Sequence, residues 1–142
     1  TQQIIAAEET LATTLSQRIT SFMAERTADL QILSSLPILT VPNIRDAVSQ
    51  DDKRALLERF IEANAVYESV ALFDLNGNVV LQNDRSSIPS QAEQDYFRAA
   101  LQSNRVSISR PVRVDNSNDY VVYITAPVQE SGSNRRTGIL RA

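Results

Sequence analysis

Histidine, cysteine and tryptophan are all absent from this sequence of 142 residues. Without histidine or cysteine the chain has no zinc-finger ligand set, no serine or cysteine nucleophile backed by a histidine, and no redox thiol pair. General acid–base chemistry would have to rest on Asp, Glu, Lys or Tyr alone. Three glycines in the whole chain are too few to build a Gly-rich phosphate-binding loop. We therefore expect no enzymatic activity, no metal site and no cofactor.

Long apolar runs and a strong charge of either sign are missing as well. No stretch of about 18 or more apolar residues and no basic-plus-apolar signal segment is present, so nothing here predicts a membrane span or a targeting peptide. The net charge of −3 argues against binding to nucleic acid or to an anionic membrane surface. The lack of cysteine is compatible with the cytosol and equally with an extracytoplasmic bacterial domain. Because the chain starts without Met inside a helical pattern, we expect it to be a fragment of a larger protein.

Residues 1–36 contain neither glycine nor proline and predict one long amphipathic helix. Their apolar residues recur mostly at spacings of three, four or seven: Ile4, Leu11, Leu15, Ile19, Phe22, Met23, Leu30, Leu33 and Leu36. Such a helix would be about 54 Å long, which is longer than a compact domain of this size is wide. We therefore expect part of it to project. One interpretation is a packing helix with a frayed start; the one we favour is a helix that rises from a membrane anchor and pairs with its copy in a dimer.

Residues 37–66 predict a connector and a second helix. Pro37 should end the first helix, and the segment 37–42 between two prolines predicts a short irregular crossing. Asn43 or Ser49 could cap the helical stretches that follow. Apolar residues on one face then predict an amphipathic helix up to about Asn64.

Residues 67–83 carry the strongest local signal in the chain. Asn76-Gly77 predicts a type I′ hairpin turn, because that turn needs positive φ at both central residues. Apolar runs on either side predict antiparallel strands at about 69–74 and 78–83. We expect Asp74 to cap its own turn rather than to bind a ligand.

One short helix and three further strands are predicted after the hairpin. Ser90, with Glu93 three residues later, forms a capping-box pattern for a helix that runs to about Ser103. Strand patterns at about 106–114, 119–128 and 137–141 then alternate with loops at 115–118 and 129–136. Five strands in total fit an antiparallel sheet with helices packed on one face and the other face solvated.

A pocket on this sheet would need a few convergent polar groups against an apolar or aromatic wall. The candidate ligand-binding residues come from the helix after the hairpin and from the third and fourth strands: Tyr96, Arg98, Ser107, Ser109, Arg110, Asp119, Tyr120 and Tyr123. Arginine suits a carboxylate or phosphate, which it can hold with two parallel hydrogen bonds, and Asp119 would suit an ammonium group. Each candidate has a structural alternative; Arg110 beside Pro111 also fits a solvated strand residue. We expect Phe97 to belong to the core.

Five short segments in a fixed order resemble a Cache domain, the extracytoplasmic relative of the PAS sensor fold. They are VALFDLNGNVV, QDYFRAAL, SISRPV, YVVYITAPV and TGIL, within residues 67–141. The resemblance implies an α+β fold in which a long N-terminal helix packs on a PAS-like five-stranded antiparallel sheet. It divides the chain into a signalling and dimerisation helix (1–36), a connector with a second helix (37–66) and a sheet module (67–142).

The resemblance also implies a function. Cache domains sense small molecules in bacterial transmembrane receptors, such as sensor histidine kinases, chemoreceptors and cyclic-dinucleotide enzymes. This chain would be the membrane-distal half of a double Cache, on the periplasmic side of an inner membrane reached only through segments outside it. A small molecule on the sheet and a second copy along the N-terminal helix would be its partners. The amino-acid-sensing subset has an Arg and a Trp ahead of the helix aromatic, whereas this chain reads EQDYF at 93–97, so the ligand class stays open.

Two other functions fit the residues less well. One is a ligand-free module of such a receptor that dimerises or binds another protein, with its pocket filled by its own side chains. The other is a cytoplasmic PAS or GAF domain that holds a chromophore, which the absence of cysteine and histidine disfavours because the usual attachment points are missing.

Overall fold

The computed structural model describes residues 2–114 and 117–142. The helices are α1 (Gln2–Ser34), α2 (Pro37–Thr40), α3 (Pro42–Ala47), α4 (Gln50–Ala63) and α5 (Asp95–Leu101). The strands are β1 (Ala71–Phe73), β2 (Val79–Gln82), β3 (Ser107–Ile108), β4 (Val112–Arg113), β5 (Tyr120–Val121), β6 (Ile124–Gln129) and β7 (Arg136–Arg141). Half of the predicted loop at 115–118, and the side chain of Ile4, lie outside the described residues.

The long N-terminal helix is confirmed. Because no glycine or proline interrupts it, α1 runs unbroken for 33 residues, about 50 Å at the standard rise. Its last turns are anchored by Leu30 and Leu33, which are fully buried against the sheet. Its earlier apolar residues Leu11, Leu15, Ile19 and Phe22 are 61%, 48%, 60% and 42% exposed, so this half of the helix projects as expected. Within the described part of the chain, no helix combines the length and the apolar character needed to cross a membrane.

The five-stranded antiparallel sheet is also confirmed, with strand order β2-β1-β7-β6-β3. The predicted strand at 106–114 is broken into β3 and β4 around Pro111, which has no N–H to donate to a neighbouring strand. The predicted strand at 119–128 is likewise broken into β5 and β6. The outer pieces, β4 and β5, pair with each other as a separate two-stranded ribbon.

Both faces of the sheet are covered, so the expectation of one solvated face was wrong. Val70, Leu140 and alternate residues of β6 pack with α1, α2 and α4 on one face. Ala71, Phe73 and Ile139 pack with Phe97 of α5 on the other. Central strands that are apolar at consecutive positions have no polar face to offer to water. The core position of Phe97 is confirmed, since it is fully buried.

The hairpin forms, but its turn is not type I′. Gly77 alone of the two central residues has positive φ, at 88°. Asp74 holds the turn as predicted, because its carboxylate accepts from the backbone N–H groups of Asn76 and Asn78, each at 2.9 Å. This carboxylate bridge supports a turn that requires only one left-handed residue.

The predicted start of α4 is confirmed, whereas the predicted start of α5 is wrong. Ser49 caps α4 by accepting from the N–H of Asp52 at 3.1 Å. The segment after Pro37 is not irregular but forms α2 and α3, each opened by a proline at its first position, where the missing N–H costs nothing. Ser90 does not cap α5, which begins only at Asp95; its hydroxyl instead accepts from the N–H of Ala92 within the preceding loop.

Candidate functional site

A buried arginine surrounded by aromatic rings lies where β7 passes α5. β7 alternates its side chains between the two faces, and Arg141 follows Ile139 onto the α5 face, next to Phe73 of β1 and Tyr123 before β6. Tyr96 in the first turn of α5 and Gln91 in the loop before it complete the surroundings. We call Phe73, Gln91, Tyr96, Tyr123 and Arg141 the arginine cage.

The cage holds the guanidinium group by hydrogen bonds and by ring faces. Nη1 of Arg141 donates to the Tyr96 hydroxyl at 2.8 Å and to the Gln91 side-chain oxygen at 3.3 Å. The guanidinium carbon lies 4.6 Å from the ring centroid of Tyr123, 4.9 Å from that of Phe73 and 5.8 Å from that of Tyr96. Distances within about 6 Å allow a cation–π attraction, which is strongest where water is excluded.

Arg141 is only 7% exposed, and no carboxylate of the described residues lies within 4 Å of its guanidinium. Its Nε is fully buried and has no hydrogen-bond partner among those residues. Arg26, which also lies over two aromatic rings, is different because its Nε donates to the Asp29 carboxylate at 3.0 Å. Among the described residues, Arg26 therefore has a carboxylate partner and Arg141 has none.

Two tyrosines beside these arginines, Tyr96 and Tyr67, have a raised pKa. Burial raises the pKa of the Tyr96 hydroxyl, while the Arg141 charge acts in the opposite direction. Tyr96 donates to the side-chain oxygen of Gln91 and accepts from Arg141, so its hydroxyl links the two. Burial is the main cause that raises the pKa of Tyr67 far above its usual range, and the hydrogen bond that its hydroxyl donates to the Asp29 carboxylate raises this pKa further.

A cavity of about 470 Å³ adjoins the cage and shares Tyr123 and Arg141 with it. Its remaining lining comes from α1, from the segment before β1, from the β4–β5 ribbon and from the ends of β6 and β7: Phe22, Met23, Arg26, Val66, Tyr67, Glu68, Ser69, Val114, Val121, Val122, Ile124 and Ala142. The size falls in the range of small-molecule sites, and the lining is mostly apolar with few polar groups, as such sites require. No cluster of three or more acidic side chains suited to a metal ion occurs in residues 2–114 and 117–142.

The structure brings together three of the eight residues predicted for the site. Tyr96 and Tyr123 lie with their ring centroids 4.4 Å apart. Ser109 lies behind them, since its hydroxyl accepts from the N–H of Tyr123 at 2.9 Å.

The other five predicted residues lie apart from the cage and the cavity. Arg98 is exposed and pairs with Glu93, and Ser107 is paired in β3 with Thr125 of β6. Arg110, Asp119 and Tyr120 are exposed and do not line the cavity. These positions leave the cage and the cavity as the candidate site.

Sequence reasoning missed Arg141 and Gln91. A signal for Arg141 exists in the alternation of β7: Ile139 and Arg141 share a face, and Ile139 belongs to the core. An arginine two residues after a buried isoleucine in the same strand must enter the protein unless the strand ends first. Gln91 has no such signal, because it lies in an irregular loop.

No family model matches the sequence, and no curated protein matches it. Solved structures do match the fold. An extracellular ligand-binding receptor from Desulfohalobium retbaense aligns with a TM-score of 0.72 at 14% identity, over 91% of this chain and 23% of that one. The extracellular domain of rpHK1S-Z16, described as a histidine kinase, aligns with a TM-score of 0.73 at 17% identity, over 97% of this chain and 57% of that one.

The ligand-binding domain of the Pseudomonas aeruginosa amino-acid chemoreceptor PctC, solved with GABA, has the same fold. It aligns with a TM-score of 0.69 at 17% identity, over 91% of this chain and 58% of that one. The chain thus has the Cache-like fold of extracellular sensory domains and spans less than two thirds of the length of each of these neighbours.

Proposed function

We propose that this chain is an extracytoplasmic small-molecule sensing domain of a bacterial transmembrane receptor, either a sensor histidine kinase or a chemoreceptor. The observation that carries the proposal is the mostly apolar cavity of about 470 Å³ beside the arginine cage. The fold supports it, since neighbours with this fold are sensory domains of chemoreceptors and of a protein described as a histidine kinase. Because this chain spans little more than half of those domains, the identity of the receptor is part of the proposal.

The ligand would bind in the cavity, against Tyr123 and Arg141. Of the residues expected from sequence, Tyr96 and Ser109 would act behind this surface by holding Arg141 and Tyr123 in place. The other five candidates could contact a ligand only if it bound outside this cavity; they are Arg98, Ser107, Arg110, Asp119 and Tyr120. At this position a ligand would be held by hydrogen bonds and apolar contacts.

Signalling would depend on α1. Phe22, Met23 and Arg26 of this helix line the cavity, while Leu30 and Leu33 fix its other end to the sheet. A ligand can shift an equilibrium only by its different affinity for the two states. A ligand that touches both α1 and the sheet would favour the helix position that closes on it, and the helix would transmit that position toward the membrane.

The projecting half of α1 would pair with a second copy of the chain. Leu11, Leu15, Ile19 and Phe22 are spaced by four, four and three residues, so they lie along one face of the helix. Their exposure leaves an apolar stripe without cover in the single chain. A homodimer through this stripe would bury it.

The second candidate is a ligand-free dimerisation or interaction module. The observation in its favour is that Arg141, Tyr96 and Tyr123 already pack on one another. In that case the apolar stripe on α1 would provide the interaction surface, and the cavity would bind no ligand.

A thermal-unfolding screen against amino acids, carboxylates, amines, purines and sugars separates the two candidates. A ligand at 100 times its dissociation constant adds about 2.7 kcal/mol of stability, which raises the melting temperature of a domain of this size by several degrees. The sensor proposal predicts such a shift for one chemical class. A flat screen together with a dimeric solution mass would support the interaction module instead.

A further inference from the structure

The turn between β1 and β2 contains the only Asn-Gly dipeptide of the sequence, Asn76-Gly77. In such a dipeptide the glycine nitrogen can attack the asparagine side-chain carbon, because no Cβ atom on the glycine hinders its approach. The attack closes a succinimide ring and expels the side-chain nitrogen, which takes the proton of the glycine N–H and leaves as ammonia. Water then adds across one of the two carbon–nitrogen bonds of the ring, which gives aspartate or isoaspartate and restores the N–H.

The turn exposes the asparagine side chain but holds the glycine nitrogen in a hydrogen bond. Asn76 is exposed, whereas Gly77 is buried and its N–H donates to the backbone carbonyl of Asp74 at 3.1 Å. The Asp74 carboxylate accepts from the N–H groups of Asn76 and Asn78, at 2.9 Å each, so one residue holds three consecutive amides. Ring closure requires the Gly77 nitrogen to turn toward the asparagine side chain and to lose its proton. The closed turn opposes both steps.

We propose that Asn76 is a site of spontaneous deamidation, and that Asp74 sets the rate of this reaction by holding the turn closed. The reaction proceeds in molecules whose turn is open while the rest of the domain stays folded, because local openings cost less free energy than global unfolding. The reactants are this asparagine and water, so no enzyme or cofactor is required. The site lies outside the ligand cavity, and the proposal does not depend on the sensing function.

Isoaspartate at position 76 would loosen the arginine cage. It carries the main chain through the former side chain, which lengthens the turn by a carbon atom and adds a free carboxylate. Gly77 lies directly against the loop before α5, since its carbonyl accepts from the Gln91 N–H at 2.9 Å and a Cβ atom on it would lie 2.5 Å from the Ala92 nitrogen. A longer turn displaces Gly77 from this contact. Gln91, whose side chain accepts from Arg141 at 3.3 Å, then loses its support.

Peptide mapping by mass spectrometry tests the site. The purified domain is aged in mildly alkaline buffer, folded or unfolded in urea, and digested with trypsin, which releases residues 60–85 as one peptide. Asn76 is expected to lose its amide slowly in the folded domain and about tenfold faster or more in urea, where the hydrogen bonds of the turn are absent. The other asparagines of this peptide are each followed by a residue with a side chain and should stay largely unchanged; they are Asn64, Asn78 and Asn83.

Three variants locate the control of the rate. Asp74→Ala should speed deamidation of Asn76 in the folded domain about tenfold or more, since two hydrogen bonds to a charged group are lost. Asp74→Asn keeps a neutral acceptor and should react at an intermediate rate. Gly132→Ala is the matched control, because it replaces another glycine with positive φ and its added Cβ meets nothing within 4 Å. In this control Asn76 should react at nearly the wild-type rate.

The outcomes decide each part of the proposal. An Asn76 that keeps its amide even in urea would overturn the site. A wild-type rate in both folded Asp74 variants, or an equal acceleration in Gly132→Ala, would overturn the control by Asp74; if Asp74→Ala does not fold, Asp74→Asn decides alone. The isoaspartate form, separated by chromatography, should show faster hydrogen exchange at Gln91 than the unmodified domain. Identical exchange there would contradict the effect on the cage.

Discussion

Replacing Gly77 by alanine should destabilise the protein far more than replacing Gly132, although the two glycines have nearly the same backbone. Their φ angles are 88° and 91°, a region that a residue with a Cβ atom rarely adopts. A Cβ added at Gly132 meets nothing within 4 Å, whereas one at Gly77 would lie 2.5 Å from the backbone nitrogen of Ala92. The hairpin turn and the loop before α5 are therefore in direct contact.

The expected loss in the free energy of unfolding can be estimated for each variant from the backbone angles and these contacts. Positive φ costs alanine about 1–2 kcal/mol, and the reduced freedom of the unfolded chain returns about 0.4–1 kcal/mol, so Gly132→Ala should cost about 1 kcal/mol. At Gly77 the loop must also move away, which adds about 1–3 kcal/mol for overpacking. The bond from the Gln91 N–H to the Gly77 carbonyl, 2.9 Å long, contributes about 1 kcal/mol that would be lost with it.

Urea unfolding followed by circular dichroism measures both variants against the wild type. We expect Gly77→Ala to lose about 3 kcal/mol or more and Gly132→Ala about 1 kcal/mol. Because Gln91 also holds Arg141, Gly77→Ala should in addition weaken any ligand that binds beside the cage. Equal losses of stability in the two variants would refute the steric contact between the turn and the loop.

Three further predictions concern the core, the pH dependence of stability and the proposed dimer. Phe97→Ala should cost about 3–5 kcal/mol in urea unfolding, since the ring is fully buried, and a loss below about 1 kcal/mol would contradict the packing of α5. Burial and Asp29 raise the pKa of Tyr67, so folding favours the neutral form of its hydroxyl. The stability that neutral Tyr67 contributes is therefore fully present below the ordinary pKa of 10.0 and is lost as the pH rises above that value. Tyr67→Phe should flatten the fall in stability above pH 10.0, and an unchanged slope would count against this tyrosine. In sedimentation experiments the wild type is expected to have the mass of two chains and the variant with Leu15→Glu and Ile19→Glu that of one, whereas a variant that is still a dimer would place the interface elsewhere.

Local sequence chemistry predicts those parts of the fold that depend on neighbouring residues. The hairpin at Asn76-Gly77, the carboxylate of Asp74 in its turn and the cap of α4 by Ser49 each involve groups within a few positions. The length of α1 follows from the absence of glycine and proline. These features need no knowledge of which strands pair.

The candidate site depends on strand pairing, and sequence reasoning therefore identified it only in part. Arg141 enters the protein because β7 lies between β1 and β6, which places its alternate side chains on the α5 face. A charged residue near a strand end is normally expected to be solvated, so the alternation of Arg141 with Ile139 indicates burial only when the face they share is known to be covered. Arg98 and Arg110 have the same chemistry, but their elements direct them to solvent.

The covered second face has a similar cause. Five strands permit one solvated face, and the polar loop before α5 gave no sign of packing. Consecutive apolar residues in β1 and β7, such as Ile139 and Leu140, were the available evidence that both faces would be covered.

A crystal structure of the domain grown with the best compound from the thermal-unfolding screen would show whether the cavity between α1 and the sheet binds the ligand. We expect ligand density in this cavity, in contact with Tyr123 and within hydrogen-bond distance of Arg141. Density at another surface, with this cavity unchanged and Arg141 still bonded only to Tyr96 and Gln91, would contradict it.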